Sequence, residues 1–157
     1  MVEIRDLLEY NHKIRRKYLE SFAKLPWSEL VKDRGASWGS IRNIFVHTLS
    51  AVDYWLDFLQ KENLFSRRKN DEYKTFEEVK TYMEHVEKRM QNYLNALHAG
   101  ELGKKFAIKN DENETAGITA EDVLIHVFEE EIHHRGEIIA LLWQMNIEPP
   151  LMGWKNL

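Results

Sequence analysis

Val127-Phe-Glu-Glu-Glu-Ile-His-His-Arg-Gly-Glu-Ile-Ile139 is the stretch on which the fold turns. Extended in both directions it has helical spacing: at 100° per residue, Val123, Val127, Glu130, His134, Ile138, Leu141 and Met145 fall within an arc of about 80°. The stripe predicts a core-facing helix, yet it contains a Glu and a His. A carboxylate is rarely buried unless it is paired or bound to a metal, because desolvating its charge costs several kcal/mol. A metal ion is therefore the leading candidate to compensate Glu130.

Three further segments repeat with helical period. In the first, Ile4, Leu7, Leu8, Ile14, Tyr18, Phe22 and Leu25 recur at helical spacing up to Pro26, which disfavours helix at its predecessor; Asn11 and Arg15 interrupt this stripe. The second starts after Ser37 or Ser40 and runs to about Lys61. Its face of Arg42, Asn43, Ser50, Asp53, Asp57 and Gln60 lies opposite Ile41, Ile44, Phe45, Leu49, Val52, Trp55 and Leu56. The third is announced by the capping box Thr75-Phe-Glu-Glu78, and the fourth opens similarly at Thr119-Ala-Glu-Asp122, ending near Asn146 before Pro149-Pro150. No run of alternating strand residues of any length is convincing, so an all-α bundle in one domain, residues 1–157, is expected. Two longer connections remain, residues 62–74 and 99–118. The latter is either a lid over a site or a short hairpin around Phe106-Ala-Ile108.

The fourth segment has a second apolar face, Ile125, Phe128, Ile132, Ile139 and Trp143, with Gly136 beside it. A homodimer packed partly through this helix is the reading. The alternative is that the face lies under the 99–118 connection or the tail containing Leu151, Met152, Trp154 and Leu157.

Composition narrows the function. Cysteine is absent, which excludes disulfides, thiolate metal sites and a Cys nucleophile, and is compatible with a reducing cytosol. The net charge of −4 argues against nucleic acid as the main ligand, which requires concentrated Lys and Arg. The charged N-terminus carries no signal core, and no apolar run approaches the roughly 20 residues of a bilayer span. A cytoplasmic protein with no membrane partner is expected.

Glu130 and His134, four apart on a helix, point the same way and can share one ion. His47, the only His of the second segment, lies on its inward flank and supplies the third ligand. Two imidazoles and a carboxylate suit Zn²⁺, Fe²⁺, Mn²⁺ or Ni²⁺ with positions left open. The alternative is a plain Glu130–His134 hydrogen bond, with His47 packed on Trp55 or Tyr54. His126 is a candidate helper ligand one turn before Glu130, and His133 an outer contact. Asn11 and Arg15 either support the site and bind an anionic substrate group, or Arg15 lays its stem on apolar surface and exposes its head. Glu137 reads as a surface acid rather than a supporting acceptor, and His12, His85 and His98 as surface residues.

Tyr10-Asn11, Ser40-Ile-Arg-Asn-Ile-Phe-Val-His47-Thr-Leu and His126-Val-Phe-Glu-Glu-Glu-Ile-His-His134-Arg135-Gly136 together resemble the DinB family, damage-inducible-type proteins related to YfiT-like metal-dependent hydrolases and bacterial thiol S-transferases. The resemblance implies an up-down-down-up four-helix bundle, frequently dimeric, with a metal held by one His of helix two and two His four apart on helix four. His47 and His134 match that pattern, whereas Glu130 stands where the family commonly has His. It further implies a metal-dependent enzyme acting on a small molecule, as a hydrolase or a transferase using a low-molecular-weight thiol cosubstrate, in stress response or detoxification. The alternative is a non-enzymatic dimeric bundle with a structural or vestigial metal site, acting through protein contacts.

Overall fold

A computed structural model describes residues 3–60, 68–98, 100–109, 113, 115–151 and 153. The chain is mostly helical: α1 (Ile4–Phe22), α2 (Trp27–Val31), α3 (Ile41–Gln60), α4 (Phe76–Ala96) and α5 (Ala120–Gln144), with a single 3₁₀ turn at Asn70–Glu72. Strands β1 (Lys105–Lys109) and β2 (Thr115–Thr119) pair antiparallel, Lys105 opposite Thr119 and Lys109 opposite Thr115. Of the two readings of residues 99–118, the hairpin is the one formed. No helix among the described residues is long and apolar enough to cross a membrane.

Local chemistry sets the helix ends. Thr75 Oγ1 accepts from the Glu78 amide at 3.2 Å while Glu78 accepts from the Thr75 amide at 3.0 Å. Thr119 and Asp122 reciprocate in the same way at 3.1 and 2.7 Å, so both expected capping boxes form. Ser40 Oγ accepts from the Asn43 amide at 3.2 Å and opens α3. At the far end of α5, Asn146 takes a left-handed φ of 57°, and the Ile147 amide donates back to the Leu142 carbonyl at 2.9 Å, closing the last turn. The short α2, which begins directly after Pro26, is too brief to show a period and was not anticipated.

Leu8, Ile14, Ile41, Ile44, Leu49, Val86, Leu124 and Leu142 are at most 1% exposed and join the long helices in one core. Neighbouring helices are further tied by charge. Arg89 of α4 pairs with Asp53 and Asp57 of α3, so part of the polar face expected to meet solvent faces α4 instead. Arg16 of α1 pairs with Glu87 of α4 at 2.9 Å.

α5 corrects the stripe from which the fold was read. Val123, Val127, His134, Ile138 and Leu141 are buried as expected, but the buried acid is Glu131, not Glu130. The burial arc also takes in Leu124 and Leu142, which shifts its centre so that Glu131 lies inside it and Glu130, 100° away, falls on its edge. On the opposite side Ile125, Ile132 and Trp143 stay 42%, 41% and 58% exposed. The described part of the hairpin therefore does not cover the second apolar face; Met152, Trp154 and Leu157 lie outside the described residues.

Candidate metal centre

The first turns of α3 carry His47, and the middle of α5 carries Glu130 and His134. Glu130 Oε2 lies 3.3 Å from His134 Nε2 and 3.8 Å from His47 Nε2, and the three donor atoms all lie within 4.8 Å of one another. At metal–ligand bonds of about 2.0–2.2 Å, donors in a tetrahedral or octahedral shell stand about 2.8–3.6 Å apart. The 3.3 Å separation falls inside that range and the 3.8 Å one just outside it. His134 is buried, with 7% of its side chain exposed, whereas His47 and Glu130 keep 24% and 29%. The cluster is therefore anchored on its protein side and reachable from solvent.

The buried imidazole is braced. Glu137 Oε2 lies 2.6 Å from His134 Nδ1, so Nδ1–H donates there and the lone pair of Nε2 faces the Glu130 carboxylate. In that tautomer two acceptors stand 3.3 Å apart, an arrangement that suits a cation between them, either a metal ion or a proton. Ser37 Oγ donates to the same Glu137 oxygen at 2.8 Å. Burial pushes the Glu137 carboxyl up, but the hydrogen bonds from His134 and Ser37 outweigh it and hold it below the ordinary range. Glu137 is thus a supporting acceptor, a correction to its reading as a surface acid.

The second imidazole is held by the adjoining residue of the same loop. Trp38 stacks on His47, with ring centroids 4.1 Å apart and planes 23° from parallel; the aromatic partner is neither Trp55 nor Tyr54, the two partners of the alternative reading. Trp55 instead meets His126 edge-on at 5.3 Å. Burial, reinforced by His134, draws the His47 imidazole below its ordinary value against the pull of Glu130 and Glu137, which favours the neutral form that ligates metals. The loop owes its shape to Gly35 and Gly39, at φ 74° and 79°, left-handed values that disfavour side chains with a Cβ. Between them, Ser37 and Trp38 reach both imidazole arms; the glycines flanking Ala36-Ser37-Trp38 were the available signal, and it was missed.

Of the other candidates only His133 borders the cluster, its donor atom lying within 4.8 Å of those of His134 and Glu137; the rest are engaged elsewhere. Asn11 is fully buried; its Nδ2 donates to the Phe128 carbonyl at 3.4 Å and its Oδ1 accepts from Arg135 at 3.2 Å. Arg15 is 4% exposed and ion-pairs with Glu131, so its head is buried rather than in water. A cavity of about 30 Å³ adjoins this pair between Ile14, Phe45 and Ile138, the size of one water molecule, and Arg15 Nε and Nη1 have no hydrogen-bond partner there. His126 and His133 are exposed, and His133 sits edge-on to His134 at 4.9 Å. His85 and His98 are exposed as expected, whereas His12 is partly buried. The described part of the hairpin does not lid the cluster: Phe106 packs on Phe58 at 5.3 Å, eleven residues along α3 from His47 and so about 16 Å away.

The DinB family model matches residues 1–155, nearly the whole chain. The chain belongs to the DinB family. Crystal structures of DinB-like proteins share its fold. One from Bacillus subtilis is 17% identical, with a TM-score of 0.61 over 92% of this chain and 96% of that one. Another, from Bacillus cereus, is 16% identical, with a TM-score of 0.63 over 95% and 97%. A conserved protein from Enterococcus faecalis gives a TM-score of 0.68 at 15% identity, over 90% of this chain and 95% of the other. No curated protein sequence matches the chain.

Proposed function

We propose that this DinB protein is a divalent-metal-dependent enzyme acting on a small molecule, with His47, Glu130 and His134 as the metal ligands. The observation that carries the reading is the pair of acceptors, Glu130 Oε2 and His134 Nε2, held 3.3 Å apart while Glu137 takes the other ring hydrogen. A dication satisfies both at once, and His47 completes the triad from α3. A hard carboxylate beside two imidazoles suits Zn²⁺, Fe²⁺ or Mn²⁺. Such an ion, when bound, supplies a Lewis acid that activates water or a thiol. The protein's part is to fix three donors on rigid helices, brace both rings through Ser37 and Trp38, and leave the His47 side open. Hydrolysis or transfer of a low-molecular-weight thiol is the reaction class this supports, in the cytoplasm.

Contacts among the long helices support an up-down-down-up bundle. Arg5 and Arg16 of α1 meet Leu94 and Glu87 of α4 in reversed order, whereas Asn11 and Arg15 meet Phe128 and Glu131 of α5 in the same order. His47 and Trp55 of α3 meet His134 and His126 of α5 in reversed order. The exposed Ile125–Ile132–Trp143 face of α5 fits a homodimer.

A second reading is favoured by the same 3.3 Å contact: a proton in place of the metal makes Glu130–His134–Glu137 a structural chain in a non-enzymatic dimer. Metal analysis separates the two. Protein purified without a His tag or chelator is expected to carry about one divalent ion per chain, lost in His47→Ala and His134→Ala variants that keep their fold and their mass by light scattering. Metal retained in full by both variants, or absent from the parent, overturns the assignment.

A further inference from the structure

An open cleft of about 490 Å³ meets the candidate metal centre at His47, which lines it while Glu130 and His134 do not. Trp38, stacked on His47 by one face, remains 43% exposed and forms part of the same wall. Asn43 and Ser50 come from α3; Asp71 comes from the 3₁₀ turn, and Lys69 directly precedes that turn. Asn43 Nδ2 donates to the Trp38 carbonyl at 3.0 Å and holds the indole in place. No ion pair engages the Lys69 ammonium among the described residues, whereas Asp71 has the Arg42 guanidinium as an electrostatic neighbour and its carbonyl accepts from Lys74 Nζ at 2.7 Å.

We propose that this cleft is the substrate pocket of the centre and takes a small amino-acid-type zwitterion. A planar or apolar body lies along Trp38, a carboxylate meets Lys69, and an ammonium meets Asp71. The volume suits such a molecule, since small-ligand sites are clefts of about 300–1,000 Å³ with a few placed polar groups. Opposite charges two residues apart would attract a ligand of either sign weakly and one carrying both signs best, because each single-charge ligand leaves a like charge facing it. The indole gives the apolar part a rigid surface at little entropic cost.

This assignment rests on the metal reading, and its test keeps the two apart. Zinc-loaded protein, freed of excess metal and with its zinc content measured first, is titrated calorimetrically with L-phenylalanine, 3-phenylpropionate and 2-phenylethylamine. The zwitterion is expected to bind roughly five-fold or more tighter than either single-charge analogue, the scale of an exposed ion pair. Lys69→Ala weakens phenylalanine and phenylpropionate but not phenylethylamine; Asp71→Ala weakens phenylalanine and phenylethylamine but not phenylpropionate. Both substitutions lie outside the helices. Three equal affinities, no binding of any probe, or a uniform loss in both variants overturns the cleft assignment while leaving the metal reading intact. A parent protein that holds no zinc overturns the metal reading itself.

Discussion

Replacing Arg15 with Met leaves the Glu131 carboxylate buried at 8% exposure beside a cavity of about 30 Å³, without its counter-charge. Glu87, itself 5% exposed, also loses Arg15 Nη1 at 3.9 Å but keeps its bond to Arg16, so most of the loss falls on Glu131. Removing one partner of a buried ion pair costs about 3–5 kcal/mol, because the surviving charge is desolvated without compensation. For a chain of this size each kcal/mol moves Tm by about 2–4 °C, so Arg15→Met is expected to melt about 6–20 °C below the parent. Replacing both residues, Arg15→Met with Glu131→Leu, removes the orphaned charge and is expected to recover most of the loss. The double-mutant cycle, read by urea unfolding at neutral pH, should give a coupling above about 2 kcal/mol. A single variant costing under about 1 kcal/mol, or a double variant costing the sum of its parts, would refute the reasoning.

Two further outcomes follow from the same geometry. Glu137→Ala frees the His134 ring and its tautomer, and is expected to weaken metal binding about 10- to 100-fold in a competitive chelator titration; unchanged affinity would show that the 2.6 Å bond does not orient the ligand. His12 is drawn by burial, then by Arg15 and Arg16, down to about 3 from an ordinary 6.5. The folded value lies below the unfolded one, so unfolding takes up a proton between them: this contribution to stability is intact above about pH 6.5 and is lost as pH falls towards about 3, at no more than about 1.4 kcal/mol per pH unit. Partial exposure keeps the slope under that ceiling, and unfolding curves of His12→Gln between about pH 4 and 6 should be flatter than the parent's; parallel curves would show that His12 titrates normally.

What the sequence revealed was what its physics makes local. Thr75 and Thr119 stand three residues from the acids that complete their caps, and the apolar periods of the long helices need only neighbouring residues to be seen. His47 could be matched to Glu130 and His134 because each lies on the inward flank of a recognisable helix. The roles that could not be read depend on distant partners. Arg15 is neutralised by Glu131, 116 positions away, and without knowing that, an arginine on an apolar stripe looks like one whose head reaches water. Ser37 and Trp38 sit on an aperiodic loop, and their roles exist only once α5 has packed beside them. The polar face of α3 failed for a related reason: amphipathicity cannot tell water from Arg89.

Glu130 and Glu131 are consecutive, so their side chains leave α5 about 100° apart. One turns towards α3 and the candidate centre; the other turns inward to Arg15 on α1. A roll of α5 by one position would exchange them, setting one carboxylate where the other belongs and carrying His134 off its bearing. The Arg15 contact therefore works as an index pin: a charge pair that touches none of the three donors fixes the azimuth of the helix on which two of them ride.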